Sequence, residues 1–414
     1  MKNIDLTEVL AAARGEVPAD IVLKGGCIFN SFTGEWEIGD VAIVGETIAG
    51  IGSYSGKKEI DVTGKYVTPG LMDSHLHIES TMVAPRELAK ILLLNGVTPL
   101  NCRRCCLATD DRHLDELVSE GSINYLIEIG TAHGYPVEQL LQMATLNTAE
   151  RFRLYDRGAL APGYKADICV FNNLVNFQPQ LVLKNGVVIV NKQKLLWQSP
   201  PLLKAPENTM YLEDVREQQL RLPVMNGRKA RVIRIVPEQI LTETEYVQPK
   251  AEAGFVVSDT ERDILKLAVW ERHGSNGNTG VGLVRGFGLQ RGALASTVAH
   301  DSHNLIVVGV DDQDMLTAAV ALQEAGGGLA VVADGEVKAM LPLPLAGLMS
   351  DQNTEYVQHK LQQLNFWTAE LGVPENVNAF NCLSFLALPV IPSLRLSDKG
   401  LVDVGKFAIV DLWE

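Results

Sequence analysis

Cysteine is scarce in this chain: Cys27, Cys102, Cys105, Cys106, Cys169 and Cys382 are all it has in 414 residues. Their sparse, irregular spacing suits a reducing cytoplasm better than a disulfide framework. Cys102, Cys105 and Cys106 cluster, but no second Cys or His pair at zinc-site spacing follows them, so they read as free thiols. Basic charge is also short, 36 Lys and Arg against 50 Asp and Glu, for a net charge of −14. That balance opposes binding to nucleic acid or an anionic membrane surface and points to a small-molecule substrate. Long apolar runs are missing: Ile91–Leu94 stops at Asn95-Gly96, and Leu305–Val310 stops at Asp311. Neither approaches the roughly 20 residues needed to span a bilayer. Residues Met1–Glu16 lack the basic start and unbroken apolar core of a signal peptide and are expected to form an amphipathic helix. There is no repeat and no low-complexity tract, and the expectation is a soluble, cytoplasmic protein.

What is present is 46% hydrophobic residues, enough for two or three domains with a sizeable core. From Ala19 to Val67, short β-rich runs alternate with glycine turns, and the pattern returns at Ala166–Phe171, Pro179–Gly186 and Val187–Val190. This predicts one small β-sandwich built from two separated segments, 19–66 and 158–197, flanking an inserted domain at 67–157. After a linker at Gln198–Ala205, a C-terminal α+β domain is expected over 206–414. Its expected strands are Lys229–Val236, Leu305–Gly309 and Gly328–Val332, and its expected helices Thr260–Arg272, Asp312–Glu324 and Asn353–Leu371. Asp334-Gly335 between two apolar runs signals a hairpin.

The most informative stretch is Tyr66–Ser80, in which an apolar run with a Pro-Gly step leads into Asp73, His75, His77 and Glu79. His75 and His77 are two apart and point to one face at a strand end. Such a pair can be two polar residues at a turn. Four nitrogen or oxygen donors in seven positions are costly without a metal or a network, which favours a metal site. A second polar run, His300-Asp301-Ser302-His303-Asn304, lies between the apolar stretches Ala293–Ala299 and Leu305–Val308. It is either a satisfied loop cluster or a part of a substrate or second metal site.

Pro69-Gly-Leu-Met-Asp-Ser-His-Leu-His77 resembles the first barrel strand of the amidohydrolase superfamily. Ile78-Glu-Ser-Thr-Met82 and the Ala299–Asn304 run are similar to the adenine deaminase branch. The resemblance implies an amidohydrolase-type β-sandwich plus a (β/α)₈ barrel, but such barrels take on the order of 200 to 250 residues, and Met72–Asp156 offers 85. Leu107–His113 resembles the eighth barrel strand, and its Asp110 lies only 33 residues after His77. The expected fold is therefore α/β, with a truncated, incomplete barrel and an internal deletion joined near Pro99–Cys106. Ala84–Leu94 is expected to be the helix after the first strand, and the strands Val67–Asp73 and Cys105–Asp110 to pair in parallel.

The resemblance further implies hydrolytic deamination of a purine base, adenine, by water activated on a divalent metal, Mn²⁺ or else Fe²⁺ or Zn²⁺. His75 and His77 would hold the metal, and Asp110 would both ligate it and shuttle a proton. His300, Asp301 and His303 would serve substrate or a second metal. The partners implied are a purine base and a second copy of the chain, as a homodimer. Other cyclic amide or amine hydrolysis, and a catalytically inactive remnant, are the alternatives.

Overall fold

The computed structural model describes residues 6–77, 79–83, 88, 105–198, 209–212, 215–237 and 239–414. The chain divides into two compact units, Met1–Thr81 with Pro85–Pro201, and Met82–Ala84 with Leu202–Glu414.

The first unit is organised by one nine-stranded sheet made from both ends of the segment. Its strands are β1 (Ala19–Asn30), β2 (Glu35–Val44), β3 (Thr47–Gly52), β4 (Gly56–Asp61), β5 (Tyr66–Pro69), β6 (Ile168–Phe171), β7 (Pro179–Lys184), β8 (Val187–Asn191) and β9 (Lys194–Leu195). They run in the order β3-β2-β1-β5-β6-β7-β8-β9, with β4 also on β1. Strand β1 changes partner part-way. Ala19–Lys24 pairs in parallel with β4, and Cys27–Ile28 pairs in parallel with β5. The irregularity falls at Gly25-Gly26, where Gly25 has φ +69 and a Cβ on Gly26 would lie 2.5 Å from Val67 Cγ2. Asp40 holds this bend: its carboxylate accepts from Gly25 N at 3.0 Å, Tyr54 N at 3.0 Å and Lys24 Nζ at 2.6 Å. The β7–β8 hairpin turns through Asn185 (φ +49) and Gly186 (φ +74), the two-residue turn that Asn-Gly favours.

Period-two alternation divides this sheet's side chains into separate cores. Leu23, Val41 and Ile43 join Ile168, Val170 and Leu183 in one buried cluster. Their neighbours Val22, Ala42 and Val44 pack instead with Val9 and Ala12 of helix α1 (Leu6–Ala13). Cys169 and Phe171 form a third cluster with Ile123 and Ile127 of α3 and Leu140 and Leu141 of α4. Among the described residues, the α-helical segments between β5 and β6 include α2 (Leu114–Ser119), α3 (Ile123–Ala132), α4 (Val137–Met143) and α5 (Leu146–Arg151). Each fully buried aliphatic side chain contributes roughly 1.5–3 kcal/mol, so the helices are held mainly by this apolar face.

The parallel pairing expected for Val67–Asp73 and Cys105–Asp110 is corrected. The apolar lead-in forms β5, which pairs with β1 and β6. Residues 105–109 form no strand, and Asp110 makes a single parallel bridge to Leu76. Pro69 ends the ladder because it offers no N–H to continue it. The helix expected at Ala84–Leu94 lies, except for Leu88, outside the described residues, as do Pro99–Arg104 at the expected join and most of the expected linker.

The second unit carries an eight-stranded sheet of β10 (Ala230–Ile235), β11 (Thr242–Val247), β14 (Ile264–Trp270), β15 (Thr279–Arg285), β16 (Ala293–Ser296), β17 (Leu305–Gly309), β18 (Gly328–Ala333) and β19 (Glu336–Pro342). A small hairpin, β12 (Ala251–Glu252) with β13 (Phe255–Val256), and a three-stranded sheet, β20 (Leu394–Ser397), β21 (Gly400–Asp403) and β22 (Ala408–Val410), complete its strands among the described residues. In the large sheet, ordered β11-β10-β15-β14-β17-β16-β18-β19, only β10 and β15 pair in parallel, an α+β arrangement. Helix α6 (Asp312–Glu324) lays Met315, Ala318, Ala319 and Leu322 on it, and Asp311 caps the helix by accepting from Asp314 N at 2.9 Å. Helices α7 (Thr354–Glu370) and α8 (Ala379–Phe385) follow. The hairpin at Asp334-Gly335 joins β18 to β19, with φ +58 and +74. The helix expected over Thr260–Arg272 is instead the strand β14: all seven of its residues are buried and it is paired on both edges, by β15 and β17. A strand buried on both faces loses its alternation, and so reads like a buried helix.

Candidate metal centre

Beyond Pro69 the chain stays extended and is anchored at each step. Gly70 N donates to Asp167 O at 2.9 Å, Met72 N to Ala144 O at 2.8 Å and Ser74 N to Leu107 O at 3.1 Å. Asp110 N then donates to His75 O at 2.9 Å, and His77 N to Asp110 O at 3.2 Å. These bonds align residues 74–77 beside 107–110 and put both imidazoles on one side, their ring centroids 4.9 Å apart. Asp110 itself is left-handed, φ +56.

The carboxylate of Asp110 reaches both rings, with Oδ1 3.3 Å from His75 Nε2 and 3.6 Å from His77 Nε2. One ligand atom from each of the three lies within 4.8 Å of the others. The side chains of His75 and Asp110 are 60% and 62% exposed and that of His77 27%, so the group opens to solvent. Glu79 Oε1 sits 2.8 Å from His77 Nδ1, which fixes that nitrogen as the donor and leaves Nε2 to a ligand. Partial burial disfavours a charged His77, but the Glu79 hydrogen bond and the charges of Asp111, Glu79 and Asp110 outweigh it and raise its pKa. Asp111 accepts from Ser80 Oγ. Helix α2 has His113 as its N-cap residue, so Asp110 does not serve as its cap.

Two imidazole nitrogens and one carboxylate oxygen with an open side match a catalytic divalent-metal set of three protein ligands. Asp73, a fourth donor in the sequence pattern, is taken up elsewhere: it accepts from Thr109 Oγ1 and from the amides of Thr109 and His75. Burial raises its pKa despite those bonds. The sequence motif did not separate ligands from supports. The two-residue step from His77 to Glu79 was the available signal for the support. Cys105 is exposed, Cys106 Sγ lies 3.0 Å from Thr148 Oγ1, and Cys102 is outside the described residues.

In the second unit the His300–Asn304 run is a loop between β16 and β17. His300 is buried, its ring 5.3 Å from that of His303 and 5.2 Å from that of Phe385. His303 Nδ1 accepts from Ala299 N at 3.2 Å. The buried Arg272 donates to His303 O, and burial pushes its pKa down to about 10. Asp301 is exposed and joins no group of three donors among the described residues.

Residues 239–408 match the family model of the adenine deaminase C-terminal domain, and residues 101–189 that of the amidohydrolase family. Adenine deaminase 2 of Carboxydothermus hydrogenoformans is 36% identical over 570 residues, which takes in 99% of each chain. The chain belongs to the adenine deaminase family. A second member, from Desulfatibacillum aliphaticivorans, is 33% identical over 567 residues, covering 98% of this chain and 99% of its own. That of Lysinibacillus sphaericus is 42% identical over 323 residues, 77% of this chain but 55% of its own. An alignment of 570 positions against 414 residues leaves at least 156 positions at which this chain has no residue.

Proposed function

We propose that the chain hydrolyses adenine to hypoxanthine and ammonia, with His75, His77 and Asp110 as its metal ligands. The convergence of these three donors within 4.8 Å, in a chain of this family, carries the reading. His75 and His77 would hold a divalent ion, Mn²⁺ in first place and Fe²⁺ or Zn²⁺ in second, through their Nε2 atoms. When bound, the ion supplies Lewis-acid activation of a water nucleophile. The remaining tasks fall to the chain itself. Glu79 keeps His77 in the tautomer with Nε2 free, and the exposed Asp110 carboxylate takes a proton from water and delivers it to the departing amine. His300, Asp301 and His303 are assigned to purine binding or to a second ion.

The architecture proposed with this function is a composite β-sandwich of 19–66 and 158–197. It would flank a shortened barrel at 67–157, with a C-terminal domain at 206–414 and two chains per molecule. The shortfall in the alignment favours one second reading, a folded remnant without turnover. Metal content by mass spectrometry, followed by ammonia release from adenine with each ion added, separates the two. One ion per chain and adenine turnover are expected. Metal-free, inactive protein would establish the remnant, and turnover of dihydroorotate or hydantoin but not adenine would move the chain to another cyclic-amide hydrolase.

A further inference from the structure

Asp73 is 3% exposed and Thr109 9%. Both carboxylate oxygens of Asp73 are committed, Oδ2 to Thr109 Oγ1 at 2.5 Å, and Oδ1 to Thr109 N at 3.2 Å and His75 N at 3.1 Å. One buried side chain thus ties the residue before Asp110 to the backbone of His75, across 36 positions of sequence. What it ties is otherwise joined without a strand ladder: an isolated bridge at Leu76 and Asp110 and the backbone bonds of Ser74, His77 and Asp110 align the two segments, with Asp110 in a left-handed conformation.

We propose that Asp73 and Thr109 are positioning residues that clamp residues 107–110 against 74–77, and so set the Asp110 carboxylate at its reach from the His75 and His77 rings. The proposal rests on the reading of these three as metal ligands. The Thr109 hydroxyl is the sensitive element, because it is the side-chain donor on Asp73 Oδ2 and a methyl group there would leave a buried acceptor facing carbon. Serine keeps the hydroxyl, whereas valine keeps the shape and loses it.

The test compares wild type, Thr109→Ser and Thr109→Val in two measurements on the full chain. Amide hydrogen exchange, made without metal, is expected to run about tenfold faster at His77 and Asp110 in Thr109→Val, with Thr109→Ser close to wild type and peptides from β14–β17 unchanged in all three. Calorimetric titration with Mn²⁺ is expected to show affinity weakened about 10- to 100-fold in Thr109→Val and retained in Thr109→Ser. A folded Thr109→Val protein with wild-type exchange and wild-type affinity overturns the clamp, as does equal loss in Thr109→Ser. Wild-type protein that takes up no ion overturns the functional reading instead, while the exchange comparison still decides whether the clamp exists. Asp73→Asn provides the second variant: its amide accepts through one atom only, and exchange at Asp110 should rise as in Thr109→Val.

Discussion

Removing the Asp40 carboxylate should unfasten the bend at which β1 exchanges β4 for β5. Asp40 is 7% exposed, and Asp40→Ala strips partners from the amides of Gly25 and Tyr54. A buried donor left without a partner costs about 1–3 kcal/mol. Lys24, whose side chain is 35% exposed, can return to water, so its ion pair adds little. The expected loss is about 3 kcal/mol, a large fraction of the 5–15 kcal/mol typical of a domain. Asp40→Asn should lose about 2 kcal/mol, because one face of the amide turns a donor toward the Tyr54 amide and Lys24. The pH dependence has a definite sign. Burial raises the Asp40 pKa, but the hydrogen bonds from Lys24, Tyr54 and Gly25 outweigh it and hold the group below its ordinary 3.8. Its contribution is therefore complete above that value and lost as pH falls through the depressed one. Urea unfolding of wild type and Asp40→Ala at pH 7, and again near pH 3, reads both effects. A difference below about 0.5 kcal/mol at pH 7, or one that does not shrink in acid, would refute the reasoning.

Further outcomes follow from particular contacts. Glu79→Gln should weaken divalent-ion binding about 10- to 100-fold by releasing His77 from its fixed tautomer, measured by calorimetric titration, with thermal unfolding of the apoprotein little changed. His77→Ala should abolish stoichiometric metal uptake in mass-spectrometric analysis and leave far-ultraviolet circular dichroism as in the wild type. Gly280→Ala places a Cβ 1.9 Å from Ser397 O, a backbone atom that cannot swing aside. It should destabilise the second unit by about 3 kcal/mol or prevent its folding, read by urea melts.

The parts of the fold that were legible in the sequence are those with a strong local signal. The Asp312–Glu324 helix carries its own cap, and the Asn185-Gly186 and Asp334-Gly335 turns use residues that tolerate positive φ. β14 was illegible because Ile264–Trp270 is buried on both faces, so its apolar run has no period to reveal it. At the candidate site, the two-residue step between His75 and His77 suffices to place both rings on one side. Asp110 was singled out by the family resemblance, whereas the burial of the Asp73 carboxylate against Thr109, a partner 36 positions away, left no local mark in the sequence. The single bridge at Leu76 and Asp110 was equally out of reach, since no repeating pattern marks a pairing one residue long.

Strands β5 and β6 lie side by side from Tyr66 opposite Phe171 to Pro69 opposite Ile168, so the two ends of everything between them are fastened to each other by the sheet. The excursion from Pro69 to Ile168 is in that sense a cassette. Its closure is provided by the ladder, and the entropic cost of lengthening or shortening it grows only with the logarithm of its length. A sheet stapled in this way can keep its register while a large part of the cassette is removed, and a site inside it then loses the donors that the removed part carried while keeping those near the fastened ends.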